Sequence, residues 1–314
     1  MRNNIGTQIS VCLLTYNHVE VIESTLKSIL DQTITDYEVI VSDDCSNDGT
    51  WELILELAGT DSRIKPFRTQ SNLGMAGNSN FAVAQSKRPY IALLHHDDLC
   101  RRDLLEKWFS VIERYPETNF VFNIYDDGDA EYTYGPKFEV EKIEGKYFLE
   151  NFLFRRWGCP VRGTAMIRRT AWDKVGGMRE CFGMLADIDM WMRFSMLGPV
   201  GYVAEPVISV RHQRPDNYPE DYKETHWSWR RLRFLYEIHA VNRLSYLNLK
   251  TIFGRLVWWG FRVKLSCETA KWLLYAVVRK KKTMITTSHG SVTPYDLWPL
   301  RLLRWILLKS YINK

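Results

Sequence analysis

Four times within residues 9–114 the chain passes from a short apolar stretch through a polar break into a segment of helical periodicity, which leaves few folds open. Residues 9–14 are followed by Thr15-Tyr16-Asn17-His18 and then by Val19, Ile22, Leu26, Ile29 and Leu30, the spacing of one helix face. Residues 37–41 lead through a loop of turn formers, 42–50, into a short helix over 51–58. Residues 63–68 read as a third strand before a helix over 75–85, and 90–94 as a fourth before a helix over 104–114. Strands alternating with helices through right-handed crossovers form a three-layer α/β/α sandwich around a parallel sheet.

Open sheets of this kind bind ligands beyond the carboxyl ends of their strands. This chain places Asn17 at the first such end, Asp43 and Asp44 at the second, and His95-His96-Asp97-Asp98 at the fourth. It has neither a Gly-x-Gly-x-x-Gly after the first strand nor a Gly-x-x-x-x-Gly-Lys-Ser/Thr, so dinucleotide and P-loop chemistry are excluded. Adjacent carboxylates repel unless a cation lies between them, so Asp97 and Asp98 ask for a divalent ion. Mn2+ or Mg2+ would be held by these carboxylates and by substrate phosphates, which makes a nucleoside diphosphate a fitting substrate. Asp44 would then accept the imide hydrogen of uracil or thymine. The competing reading makes the acids, Asp98 or Asp103, a cap for the helix beginning near Arg102.

Further along, residues 120–125 and 163–168 read as strands, 126–134 as a loop or hairpin, 169–175 as a short helix and Gly176-Gly177 as a turn. Residues 186–194 form an amphipathic helix whose first turn carries Asp187 and Asp189, as the helix dipole favours. Short strands over 200–203 and 207–210 lead to Arg211-His212. Six scattered cysteines without Cys-x-x-Cys spacing fit reduced thiols in the cytoplasm better than a zinc site or disulfide scaffold. The N-terminus lacks the apolar core of a secretory signal, and no stretch approaches the roughly 20 apolar residues of a membrane span.

The net charge of +5 hides an asymmetry: from His226 onward there are 17 Lys and Arg against 3 Asp and Glu. Seven of the twelve tryptophans also lie in this tail, interleaved with basic residues and the run Arg279-Lys280-Lys281-Lys282. Two domains are therefore expected, residues 1–218 and a helical region over 219–314. Basic, Trp-rich helices suit a membrane interface, placing the protein peripherally on the inner face of the cell membrane. The other reading is a helical tail that joins a second copy of the chain. Nucleic acid is disfavoured by the acidic body upstream.

Several stretches together resemble the family 2 glycosyltransferases of GT-A fold: residues 9–17, Leu30-Asp31-Gln32-Thr33, residues 41–50, Asn72-Leu73-Gly74 and the Leu94-to-Asp98 strand end. The resemblance covers about residues 8–215 and implies an inverting, metal-dependent transfer of a sugar, usually from a UDP-sugar, to an acceptor hydroxyl. On that likeness Thr15, Tyr16 and Asn17 line the nucleotide with Asn72 and Asp43, Asp44 meets the base, and Asp97 and Asp98 take the metal and ribose positions. His95 stands where an Asp often stands. Asp187 matches the family's catalytic base, preceded here by Ala186, and Asp189 is left as a structural acid. Arg211 and His212 match the basic pair that closes over the diphosphate or completes the metal shell. The acceptor implied is a glycan or lipid-linked hydroxyl in surface polysaccharide or glycoconjugate assembly. A sugar nucleotidyltransferase would need a Gly-rich basic loop where Thr15-Tyr16-Asn17-His18 stands. A non-catalytic nucleotide-sugar-binding module leaves Asp97, Asp98, Asp187 and His212 together without a reason.

Overall fold

The computed structural model describes residues 8–127, 133–155, 159–211, 229–278 and 297, and the chain divides into two compact units, 1–218 and 219–314. The first begins with four parallel strands: β1 (Ile9–Thr15), β2 (Tyr37–Asp43), β3 (Ile64–Arg68) and β4 (Tyr90–His95). Between them run α1 (Val19–Leu30), α2 (Thr50–Ala58) and α3 (Gly74–Gln85). The chain continues through β5 (Asp98–Cys100), α4 (Leu104–Arg114), β6 (Phe120–Asp126), β7 (Thr133–Tyr134), β8 (Lys142–Ile143) and α5 (Gly145–Phe148). It closes the unit with β9 (Ala165–Arg168), α6 (Arg169–Val175), α7 (Ala186–Leu197) and β10 (Val200–Val210).

The sheet order is β3-β2-β1-β4-β9-β6-β10-β5, with β7 on β6 and β8 on β10. It is mixed, not uniformly parallel: β9 inserts antiparallel between β4 and β6, and β5 pairs antiparallel with β10. The expected pair of short strands after residue 200 is a single strand, β10, whose register with β6 shifts on both sides of Pro206. A proline lacks the amide hydrogen the ladder needs, so the strand continues across it only through an irregularity.

Alternation along each strand sorts side chains between the two faces. Val11 and Leu13 of β1, Val39 and Val41 of β2 and Ala92 and Leu94 of β4 share one core with Ile22, Leu26 and Ile29 of α1, Ile54 of α2 and Trp108 of α4. On the opposite face α3 packs on β1 and β2, and its Asn78 bonds Ser42 through both side chain and backbone. Helices thus cover both faces of the sheet. Because Ala92 and Leu94 point into the first core, His95 must point to the other face.

The resembled Leu30-to-Thr33 segment has a structural explanation. Gln32 Nε2 donates to Arg101 O at 2.9 Å and its Oε1 accepts from Leu105 N at 3.0 Å, clamping the end of α1 to the start of α4. That clamp also disposes of the capping alternative for the acids. Asp103 makes no side-chain cap and instead pairs with Arg101, while Asp98 lies in β5.

In the second unit α8 (Trp229–Tyr246) and α9 (Ile252–Val278) pack against one another. Leu235, Ile238, His239 and Ala240 are buried on α8, as are Phe261 and Leu265 on α9, and Arg243 lies over the Phe261 ring at 4.6 Å. The run Arg279-Lys280-Lys281-Lys282 and Trp227, Trp298 and Trp305 lie outside the described residues.

Burial, with Arg243 and Lys264 nearby, pushes His239 from 6.5 down to about 3. The unfolded chain therefore binds a proton here that the folded chain refuses, and stability falls as pH drops from about 6.5 toward 3. His239→Gln should escape about 2–3 kcal/mol of the loss seen between pH 7 and about 4.5. Urea unfolding at the two pH values is the check, and equal losses in both chains would show that His239 does not titrate this way.

Candidate functional site

The ends of β1 and β2 form one braced platform. Asp44 N donates to Thr15 O at 2.9 Å, and Asn17, at φ +53, donates its amide to Ser46 Oγ while its Oδ1 accepts from Asn47 N, each at 2.9 Å. Asn tolerates this left-handed backbone better than most residues. Cys45, at φ +63, is the second non-glycine in that region, so both strand ends carry local strain. Thr15 Oγ1 is buried with no hydrogen-bond partner. Such an orphan in a site is a place for a ligand's polar atom.

The two adjacent acids of β2 play different parts. Asp43 is fully buried; it accepts from Ser46 N and Ser46 Oγ and pairs with Arg68 Nε at 3.2 Å. Asp43, expected at the nucleotide, braces this loop. Asp44 accepts from Leu73 N at 2.8 Å, Gly74 N at 2.9 Å and Thr69 Oγ1 at 3.1 Å. A carboxylate has about four acceptor directions, so one remains for a ligand. Burial raises the pKa of both acids above the ordinary carboxylate value. Asn72 is exposed, and its Oδ1 accepts from Gly74 N at 3.0 Å.

The fourth strand end is a corner between β4 and β5. His96 Nδ1 contacts Leu14 O at 2.9 Å, its Nε2 meets His18 Nε2 at 2.9 Å, and His18 Nδ1 contacts Tyr16 O at 2.6 Å. This staple binds the corner to the end of β1, and Thr25 Oγ1 of α1 adds a bond to His96 O at 2.6 Å. Burial, with His18 beside it, holds His96 well below the ordinary imidazole range.

Asp97 and Asp98 come together as expected, and His95 joins them: one ligand atom from each lies within 4.8 Å of the others. His95 Nε2 is buried with no hydrogen-bond partner. An unpartnered imidazole nitrogen beside two carboxylates fits a divalent cation. Arg211 follows directly on Val210, which pairs with Asp98, and its Nη2 donates to Ser24 Oγ at 2.8 Å. Burial lowers the Arg211 pKa, against the pull of Asp97 and Asp98. His212, expected as a phosphate or metal group, lies outside the described residues.

Asp187 opens α7, and Gly163 connects it to this corner. At φ +80, a Cβ built on Gly163 would lie 2.6 Å from His95 Cε1, 3.0 Å from His95 Nε2 and 3.6 Å from Asp187 Oδ2. Gly163 therefore leaves room for the His95 ring, and the Asp187 carboxylate lies beside the same point. The Tyr125 hydroxyl holds this turn, bonded to Thr164 O and Arg162 N, each at 3.3 Å. Two turns of α7 are anchored by Asp189, fully buried, whose Oδ2 accepts from Arg193 Nε at 2.8 Å. Arg193 also donates to Val175 O and Gly177 O. His95 and Gly163 were not singled out in the sequence as site residues. The signals were there: alternation turns His95 off the Leu94 face, and Gly163 opens the 163–168 stretch.

Residues 10–176 match the model of the family described as Glycosyl transferase family 2. TuaG of Bacillus subtilis (strain 168), named for teichuronic acid biosynthesis, is 37% identical over 99 residues, which are 32% of this chain and 39% of that protein. The chain thus matches less than half the length of that relative. Crystalline S. aureus TarS 1-349 in complex with UDP-GlcNAc superposes with a TM-score of 0.62 at 18% identity, covering 76% of this chain and 66% of that one. The mannosyltransferase PcManGT from Pyrobaculum calidifontis, in complex with GDP-Man and Mn2+, gives 0.57 at 17% identity, covering 96% and 84%. These likenesses assign the GT-A fold.

Gly163→Ala is expected to cost about 1–2 kcal/mol in chemical denaturation, from the left-handed backbone alone. It should also displace the His95 ring and weaken divalent-cation binding about ten-fold or more, as measured by Mn2+ titration. Undiminished binding would contradict the closeness of His95 to Gly163.

Proposed function

The chain belongs to glycosyl transferase family 2, a family of transferases, and from that premise we propose that it moves a sugar from a nucleoside diphosphate sugar, a UDP-sugar, to a hydroxyl of a glycan or lipid-linked acceptor with inversion. The observation that carries this reading is the meeting, at Gly163, of the Asp187 carboxylate with the His95 ring of the His95-Asp97-Asp98 cluster. A carboxylate base close to a cation site is what a displacement at a sugar carbon needs.

In the proposed mechanism the nucleotide lies over the ends of β1 and β2, with Asp44 receiving the uracil imide hydrogen at its remaining acceptor position. Thr15 Oγ1, buried and unpartnered, offers a further polar contact to the donor. His95, Asp97 and Asp98 would hold Mn2+ or Mg2+ against the diphosphate. When bound, the cation supplies charge neutralisation there. Arg211, directly after β10, adds positive charge to the same side. Asp187 takes the proton of the acceptor hydroxyl while that oxygen forms its bond to the anomeric carbon. The bond from that carbon to the diphosphate oxygen breaks on the opposite face, the diphosphate leaves with the electron pair, and the configuration inverts. The bound UDP-GlcNAc of TarS and GDP-Man with Mn2+ of PcManGT support a nucleotide-sugar donor and a metal.

The acceptor is proposed to sit at the cytoplasmic face of the cell membrane, in surface polysaccharide or glycoconjugate assembly. No described helix is long and apolar enough to cross a membrane. On α9, Ile252, Phe253, Leu256 and Trp259 are 69%, 75%, 64% and 60% exposed and fall at the spacing of one helix side, with Arg255 and Lys264 also exposed. Apolar residues on one side of a helix with cations close by suit an anionic membrane surface.

Asp187→Asn should lower the turnover number by about 10² to 10⁴-fold while leaving donor affinity within a few-fold. Transfer continuing at the parent rate would remove Asp187 as the base. A panel of nucleotide sugars with Mn2+, scored by thermal shift and then by slow hydrolysis, identifies the donor. Sedimentation with anionic vesicles should retain the full chain, and Phe253→Ser with Trp259→Ser should release it. Indifference of the parent chain to anionic vesicles would remove the membrane placement.

A further inference from the structure

The turn beside Asp187 carries an exposed cation. Arg162 immediately precedes Gly163, and a Cβ built on Gly163 would lie 3.6 Å from Asp187 Oδ2. Tyr125 of β6, fully buried, fixes this turn from within. Its hydroxyl accepts from Arg162 N at 3.3 Å and lies 3.2 Å from Thr164 Oγ1, while the Arg162 guanidinium lies over the same ring, 6.0 Å from its centroid. One side chain thus sets both where Arg162 starts and what its head lies against. The head is close to the corner after β4: burial first, and the Arg162 charge after it, hold His95 below the ordinary imidazole value against the pull of Asp97. Asp97, Asp98 and Asp187 make this part of the molecule acidic, as is the chain before His226 as a whole. In the proposed mechanism the cation and Arg211 answer the diphosphate. Asp187 meets the acceptor instead, and Arg162 is the cation on the turn beside it.

We propose that Arg162 recognises a negatively charged group, a carboxylate or a phosphate, on the acceptor, so that the sugar is added to an acidic glycan. The inference rests on the role of Asp187 in the proposed function and goes beyond it to the chemical class of the acceptor. An acidic acceptor brings its own charge toward three carboxylates, and like charges brought together without a cation repel it. The guanidinium matches carboxylate and phosphate alike through two parallel N–H bonds, so it orients the acceptor as well as attracting it. A neutral acceptor gives that fork nothing to hold.

Three small sugars test this when titrated against the full chain in the presence of UDP and Mn2+, with affinity read by ligand-observed nuclear magnetic resonance: methyl β-glucuronide, methyl β-glucoside 6-phosphate and neutral methyl β-glucoside. At least one acidic sugar is expected to bind about ten-fold or more tightly than the neutral one, the difference that a charge-assisted pair supplies. Which of the two acids is preferred separates a uronate from a phosphorylated acceptor. Arg162→Gln should bring the acid down to the affinity of the neutral sugar while the affinity for UDP holds, and Arg162→Lys should restore part of the preference. Because Arg162 is exposed, both substitutions leave the core intact. A parent chain that binds UDP but treats acidic and neutral sugars alike, or binds none of them, overturns the proposal and leaves the transferase reading standing. So does a preference that survives in Arg162→Gln, which assigns the acid to other cations, or a loss of UDP affinity equal to the loss of acid affinity, which assigns Arg162 to the donor. A parent chain that neither binds UDP nor hydrolyses any nucleotide sugar overturns both.

Discussion

A single buried carboxylate holds the two halves of the catalytic unit in register. Asp189 is fully buried, and its bond to Arg193 carries that guanidinium to Val175 O and Gly177 O. Asn80 of α3 then bonds both the amide and the carbonyl of Met178, the next residue along. The chain of contacts runs from α7 through the turn after α6 to a helix packed on β1 and β2. Removing one partner of a buried ion pair typically costs about 3–5 kcal/mol, because the other charge is stranded. Asp187 sits two residues from Asp189, so the stability of this pair and the aim of the proposed base depend on the same turn of helix.

Local pattern carried much of the fold. The helices over 19–30, 104–114 and 169–175 have the bounds their periodicity implies, since each presents an uninterrupted apolar face to the sheet. The alternation of β1 to β4 with helices likewise dictated the parallel half of the sheet. What local pattern does not hold is pairing: nothing within residues 165–168 says that β9 lies antiparallel between β4 and β6. Nor did two apolar runs around Pro206 reveal that they form one strand.

The site shows the same division. Strand ends placed Thr15, Asn17, Asp44, Asp97 and Asp98 along one edge. Asp43 and Asp44, however, are equivalent as letters and unlike as groups, one taken up by Ser46 and Arg68 and the other held by the loop of Leu73 and Gly74 with one acceptor position left. The closeness of Gly163 to His95 joins residues from separate strands, and no spacing rule reaches that far. His18 and His96 are 78 positions apart and share one contact, which no local pattern shows.

That histidine staple bears on how the protein can diverge. It ties the end of β1 to the corner after β4, so the two cannot shift independently. A change that re-aims Tyr16 or Asn17 also drags the carboxylates of Asp97 and Asp98, through Tyr16 O, the paired rings and Leu14 O. Under the proposed function, new donor preferences are therefore more easily acquired elsewhere. The turn of Arg162 and Gly163, held by the Tyr125 hydroxyl, makes none of the staple's contacts and can vary apart from it.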